Sequence, residues 1–81
     1  MKFYVYLILT KYKNKYISYV GYTKNLNKRL TLHNSSKGAK FTRGRKWKMI
    51  YKRYFKDKSK AMSYEYKLKK DRKKRAILLD K

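Results

Sequence analysis

Four acidic residues stand against 26 lysines and arginines in this chain, for a formal charge of +22. One of the four, Glu65, sits where a surface acid should not. Read as a helix, Lys60 to Lys70 gathers Ala61, Met62, Tyr64 and Leu68 on one side, and Glu65 falls among them. An inward carboxylate needs a cation, a metal or a hydrogen-bond donor, because burying it bare is expensive. In a protein this basic, a lone inward acid is a place to hold a metal ion. The plainer competitor is an ordinary surface pair with Lys69, four residues on. Arg29 and His33 form a second set, one helical turn apart on one face. Tyr6 and Tyr19 lie in two strand-like segments, where half-buried structural tyrosine is the ordinary role. Arg29 taken alone is one more phosphate-binding cation, and His33 alone a helix-end residue near the last carbonyls.

The elements that must position these groups are readable from pattern. Residues 3–9 (Phe-Tyr-Val-Tyr-Leu-Ile-Leu) and 16–20 (Tyr-Ile-Ser-Tyr-Val) are rich in β-formers and predict two strands, with Gly21 ending the second. Lys11 to Lys15, centred on Asn14, suits a hairpin connection. Asn25 can cap a helix running to about His33, with Leu26 and Leu30 inward. Residues 35–46 form a basic loop holding two glycines, and Trp47 to Phe55 predicts a third strand with Trp47, Met49, Tyr51 and Phe55 on one face. Ser59 can cap the helix that carries Glu65, and Asp71 a last short helix ending in Ile77, Leu78 and Leu79. The predicted order is β-β-α-β-α-α: one α+β domain over residues 1–81, with a small three-stranded antiparallel sheet flanked by helices.

Composition limits the chemistry. No cysteine is present, so disulfides, thiolate zinc sites and Cys-based catalysis are excluded. A single histidine and few aspartates leave little material for a Ser-His-Asp triad. The longest apolar run, Phe3 to Leu9, is far short of the roughly 20 residues of a membrane-spanning helix. It is filled with tyrosines and followed by no small-residue cleavage site, unlike a signal peptide. An intracellular, cytoplasmic protein with no membrane partner is expected. The charge, a pI near 10.4 and ten tyrosines are the footprint of phosphate binding with stacking surfaces, which a ribosome-associated basic protein would also show.

Tyr4-Val5-Tyr6 on the first strand, Tyr19-Val20-Gly21 on the second, Arg29, the stretch of His33-Asn34 followed by Gly38-Ala39-Lys40-Phe41-Thr42-Arg43, and Ala61 with Glu65 occur in that order. The set resembles the GIY-YIG nuclease family over roughly residues 3 to 70. The likeness is strongest to the small stand-alone bacterial branch and to the nuclease domain of the eukaryotic enzyme that cuts branched DNA. Each tripeptide alone is weak; five elements in order are strong.

The resemblance implies a metal-dependent DNA endonuclease. A motif tyrosine, Tyr19 or Tyr6, would take a proton from water, and Arg29 would bind the phosphate. Glu65 would hold one divalent metal, Mg²⁺ or Mn²⁺, and His33 would assist proton transfer or orient a tyrosine. Tyrosine has a reference pKa of about 10, and the chain's positive field favours its phenolate. One carboxylate is enough for Mg²⁺, which keeps several waters and takes substrate phosphate oxygens as ligands. The expected nucleic-acid contacts are Lys24, Lys28, Lys37, Lys40, Thr42, Arg43, Arg45 and Lys46, with Gly21 and Gly38 as structural positions. Gly38 and Gly44 would let backbone N–H groups approach phosphates. DNA is the expected partner and RNA the other option. Selectivity is expected to come from the domain itself, a protein partner or an oligomer. The non-catalytic alternative is a nucleic-acid-binding protein on the same scaffold. Three positions depart from the family pattern: Tyr4 replaces the first glycine, Tyr22 the basic residue some relatives carry, and no asparagine follows Asn34.

Overall fold

A computed structural model describes residues 2–38 and 40–79. Ala39, within the glycine-containing loop motif, and the terminal residues 1, 80 and 81 lie outside the described residues. The elements are β1 (Phe3–Tyr12), β2 (Lys15–Thr23), α1 (Leu26–Asn34), a 3₁₀ turn (Lys40–Thr42), β3 (Lys48–Phe55), α2 (Lys58–Lys70) and α3 (Arg72–Leu79). The sheet is antiparallel in the order β2-β1-β3, so β1 is central. Burial on both faces explains why its sequence is a continuous apolar run and not an alternation.

The two faces of β1 build two clusters. Phe3, Val5 and Leu7 point to one side, where Val20 joins them and Ala61 and Leu68 of α2 cover them. Tyr6 and Ile8 point to the other, against Trp47, Tyr19, Met49 and the Leu26 and Leu30 side chains of α1. The expected single face of β3 is divided between these clusters. Leu7 pairs with Tyr51 and Ile8 with Met49, so Ile50 is an extra residue in the ladder. This bulge sends Trp47 and Met49 to the tyrosine side and Tyr51 and Phe55 to the α2 side.

Local chemistry sets the element ends. Lys13 and Asn14 both have positive φ (48° and 65°), giving a two-residue hairpin turn whose twist matches its strands. The second strand does not end at Gly21 but runs on to Thr23. Asn25 caps α1 by accepting from Lys28 N at 3.0 Å. The cap of α2 is Asp57 and not Ser59: the Asp57 carboxylate accepts from Ser59 N at 2.8 Å, and the helix starts earlier than expected. Asp71 caps α3, accepting from Lys74 N at 3.0 Å. Met62, expected to face inward, is 46% exposed; the buried stripe of α2 is Ala61 and Leu68.

Candidate active site

Both faces of the sheet contribute to one concavity at the β2 edge. Its volume is about 740 Å³, and Tyr6, Tyr19, Arg29 and Glu65 all line it. The tyrosines arrive from paired strands, Arg29 from α1 and Glu65 from α2, which packs on the opposite face. Lys24 and Lys28 line the same space, as does Lys58, which sequence pattern did not single out. Lys58 lies in the first turn of α2, two turns before Glu65 on the same helix face, and that helical spacing was its only signal.

Gly21 is needed for this geometry by close approach. It pairs with Tyr6 across the ladder, and the Tyr6 ring lies over it. A Cβ at Gly21 would fall 2.6 Å from Tyr6 Cζ, inside any real contact. Only glycine lets the ring lie flat enough to bring its hydroxyl to the pocket wall.

Behind Tyr6 is a buried chain of hydrogen bonds. The Tyr6 hydroxyl lies 2.8 Å from His33 Nε2, and His33 Nδ1 lies 2.8 Å from Thr42 Oγ1. His33 therefore does not reach the pocket itself; it is buried and acts on Tyr6 from the rear. Burial, and after it the nearby Arg29 guanidinium, lower the His33 pKa below its ordinary value, favouring neutral imidazole. Burial also pushes the Tyr6 hydroxyl well above the usual tyrosine range. The neighbouring Tyr19 and Glu65 add to the rise, and Arg29 only partly offsets it. Desolvation thus outweighs the positive field that sequence alone suggested would favour phenolate at this position.

Thr42 is corrected from an expected nucleic-acid contact to a buried partner of His33. Its backbone carbonyl also accepts from Trp47 Nε1 at 3.0 Å. Asn34 completes the arrangement, accepting from Trp47 N and donating Nδ2 to Trp47 O at 3.2 Å, so the basic loop is tied to the end of α1. Gly38 serves His33 more directly than a phosphate, since a Cβ there would lie 2.9 Å from the imidazole Cε1. Neither Thr42 nor Trp47 carries a sequence signal for these roles. A threonine in a basic loop looks solvated, and the aromatic before a strand looks like the strand's own.

The remaining basic residues divide. Lys37, Lys40 and Arg43 are exposed on the loop surface. Arg45 and Lys46 line a separate concavity with Lys11 and Lys13. Glu65 is turned inward and also makes the expected pair with Lys69. Its side chain is 16% exposed and pairs with Lys69 Nζ at 3.1 Å, yet it lines the pocket. Among the described residues no group of three or more His, Asp or Glu side chains could hold a metal. Any ion here would rest on Glu65, with water and a substrate completing its shell. An open pocket of this volume leaves room for both, which suits a magnesium ion that keeps most of its hydration.

The pattern of the GIY-YIG catalytic domain matches residues 2–77. A UPF0213 protein of Oceanobacillus iheyensis is 43% identical over 67 residues, covering 82% of this chain and 74% of the relative. One from Clostridium perfringens is 44% identical over 68 residues, covering 83% and 70%. The solution NMR structure of a UPF0213 protein from Bacillus halodurans superposes with a TM-score of 0.54 at 38% identity. It covers 99% of this chain and 84% of that one.

Proposed function

This chain belongs to the GIY-YIG family of nuclease catalytic domains, and from that premise we propose that it is a metal-dependent endonuclease hydrolysing phosphodiester bonds in DNA. The observation that carries the reading is the convergence of Tyr6, Tyr19, Arg29 and Glu65 on one cation-rimmed pocket, with Tyr6 hydrogen-bonded to His33 from behind. Arg29, Lys24 and Lys28 bind and orient the scissile phosphate and neutralise charge that grows on its oxygens. A raised pKa prevents Tyr6 from waiting as phenolate, so it works as a relay. Its oxygen accepts a proton from the attacking water while its own proton passes to His33 Nε2. Neutral His33 is ready to receive it, and Thr42 holds the imidazole in register. Tyr19, edge-on to the His33 ring at 5.3 Å, packs that ring in place and faces the same pocket.

Glu65 would hold one Mg²⁺ or Mn²⁺. A bound ion would supply Lewis-acid polarisation of the phosphoryl group and help to the leaving oxygen. Branched or otherwise distorted DNA is the substrate class suggested by the resemblance to the branched-DNA enzyme, and it rests on that analogy alone.

The test is cleavage of flap, junction and plain duplex DNA with Mg²⁺, Mn²⁺ or a chelator. Cleavage should require metal and fall at least about 100-fold in Glu65→Gln, while DNA affinity holds or rises. Protein that binds these DNAs but cuts none of them has no nuclease activity. The second reading, binding without cleavage, is favoured by one contact, the Lys69 ammonium already on Glu65. In that case Glu65→Gln would change neither binding nor any product.

A further inference from the structure

The second concavity, lined by Lys11, Lys13, Arg45 and Lys46 with Thr10 and Gly44, encloses about 610 Å³ and, among the described residues, has no acid on its wall. We infer that it is a second phosphate-binding groove, which holds the DNA backbone about four base pairs along the duplex from the pocket containing Tyr6. The inference rests on the nuclease reading for the identity of the polyanion, and its own content is the groove's position and the length of DNA it demands.

Two observations place the groove on the same track as the pocket. Alternation along β1 turns Thr10 to the sheet face that carries Tyr6, and Thr10 pairs with Ile17 of that same cluster. The two concavities are also joined by side chains. Tyr19 lines the first and stacks on Phe41 at 6.0 Å and 22°. The Arg45 guanidinium sits 5.3 Å over the Phe41 ring, and Arg45 lines the second. Phe41, 51% exposed, is the surface between them.

The spacing follows from strand geometry. Tyr6 and Thr10 share a face of β1 and stand four residues apart on a strand rising about 3.4 Å per residue, or roughly 14 Å. A duplex laid along β1 advances about 3.4 Å per base pair along its axis, so the same span is about four base pairs. The charge alone does not make the argument, since the surface is basic almost everywhere. What singles out this groove is concavity, a shared sheet face and a continuous bridge to the pocket.

The test uses the full chain, in chelator, with duplexes shortened one base pair at a time. Affinity is measured against salt for wild type, for Lys13→Gln/Lys46→Gln, and for the charge-matched Lys60→Gln/Lys67→Gln on α2, across the sheet. On long duplexes the groove variant should lower the slope of log K against log salt by about 1.8, two phosphates at about 0.9 each. The α2 variant should change it by less than about half a unit, because exposed charges beyond a Debye length are largely screened. Wild type should lose affinity in a step as the duplex becomes too short to span both sites. Below that step it should bind like the groove variant.

A groove variant with an unchanged slope overturns the inference. So does an equal loss on short and long duplexes, or an equal loss in the α2 variant. Cleavage is scored separately with Mg²⁺. Length-dependent binding without any cleavage supports the groove and removes the nuclease reading. Cleavage with no groove effect does the reverse.

Discussion

The two faces of the central strand are buried to similar depth and held by different physics. Toward α2, Val5, Leu7 and Val20 meet Ala61 and Leu68, and the polar atoms stay at the margin, where Tyr51 and Tyr64 share a hydrogen bond of 2.8 Å. Toward α1, Tyr6 and Ile8 meet His33, Thr42 and Trp47, and directed hydrogen bonds run through the interior. Dispersion and hydrophobic burial tolerate small shifts of position. A hydrogen bond of 2.8 Å does not. The first face supplies stability and the second fixes a hydroxyl to within a fraction of an ångström. Substitutions on the two faces should therefore separate stability from activity.

The largest effect is expected on the aliphatic face. Leu68→Ala should cost about 2–5 kcal/mol of unfolding free energy by leaving a cavity under α2. A domain of this size shifts by about 4–8 °C in Tm per kcal/mol. At temperatures where the variant is still folded, its catalytic rate should stay near wild type. If that rate instead collapsed with the domain intact, the division between the faces would be wrong.

Next is His33→Ala, which should lower the cleavage rate about 100-fold or more, the ordinary range for losing a proton-transfer partner. The pH profile of wild type tests the same residue. The His33 pKa lies below its unfolded value of about 6.5 because burial opposes the charged form. Cleavage should therefore hold at neutral pH and fall as acid protonates the imidazole and removes the acceptor for the Tyr6 proton. Stability has the same sign: below about pH 6.5 the unfolded chain binds this proton more readily than the folded one, so folding weakens down to the folded-state pKa. A rate that rose on acidification would contradict the relay.

Thr42→Val is the subtler probe, nearly equal in shape but without the hydroxyl. It strands a buried imidazole nitrogen, at a cost of about 1–3 kcal/mol, and should slow cleavage roughly tenfold by loosening the ring. Thr42→Ser keeps the hydroxyl and should recover most of the rate. Equal damage in both would mean that packing, and not the hydrogen bond, is what matters there. Met62→Ala, on the exposed side of α2, should change stability by less than about 0.5 kcal/mol.

How much of this could be read in advance follows the same division. The aliphatic face was legible, since the run from Phe3 to Leu9 and the helical spacing of Ala61 and Leu68 depend only on local pattern. The order of elements along the chain and the capping roles of Asn25 and Asp71 were legible for the same reason. The bulge at Ile50 was not, because it is a mismatch between two strands far apart in sequence. Met62 misled because a helix period locates a stripe but not its width. The convergence of Tyr6, Tyr19, Arg29 and Glu65 could be expected from the ordered motifs. Thr42 behind His33 could not, since no periodicity marks a loop residue that turns inward. The phenolate expectation failed because net charge is visible in a sequence and desolvation is not.

The strand order bears on how the chain is assembled. β1 meets β2 through a two-residue turn, a local event, whereas Phe3 finds Phe55 only after most of the domain has been made. Hairpins close in microseconds, but long-range pairing waits on loop closure. On the ribosome, the β1–β2 hairpin emerges with one edge of its most apolar strand open, which is the usual template for aggregation. From Lys2 through Lys56 the sequence contains no acid at all. Each nascent copy therefore repels every other until β3 arrives and closes the edge. The cationic surface that suits a polyanion also keeps the unfinished protein from pairing with itself.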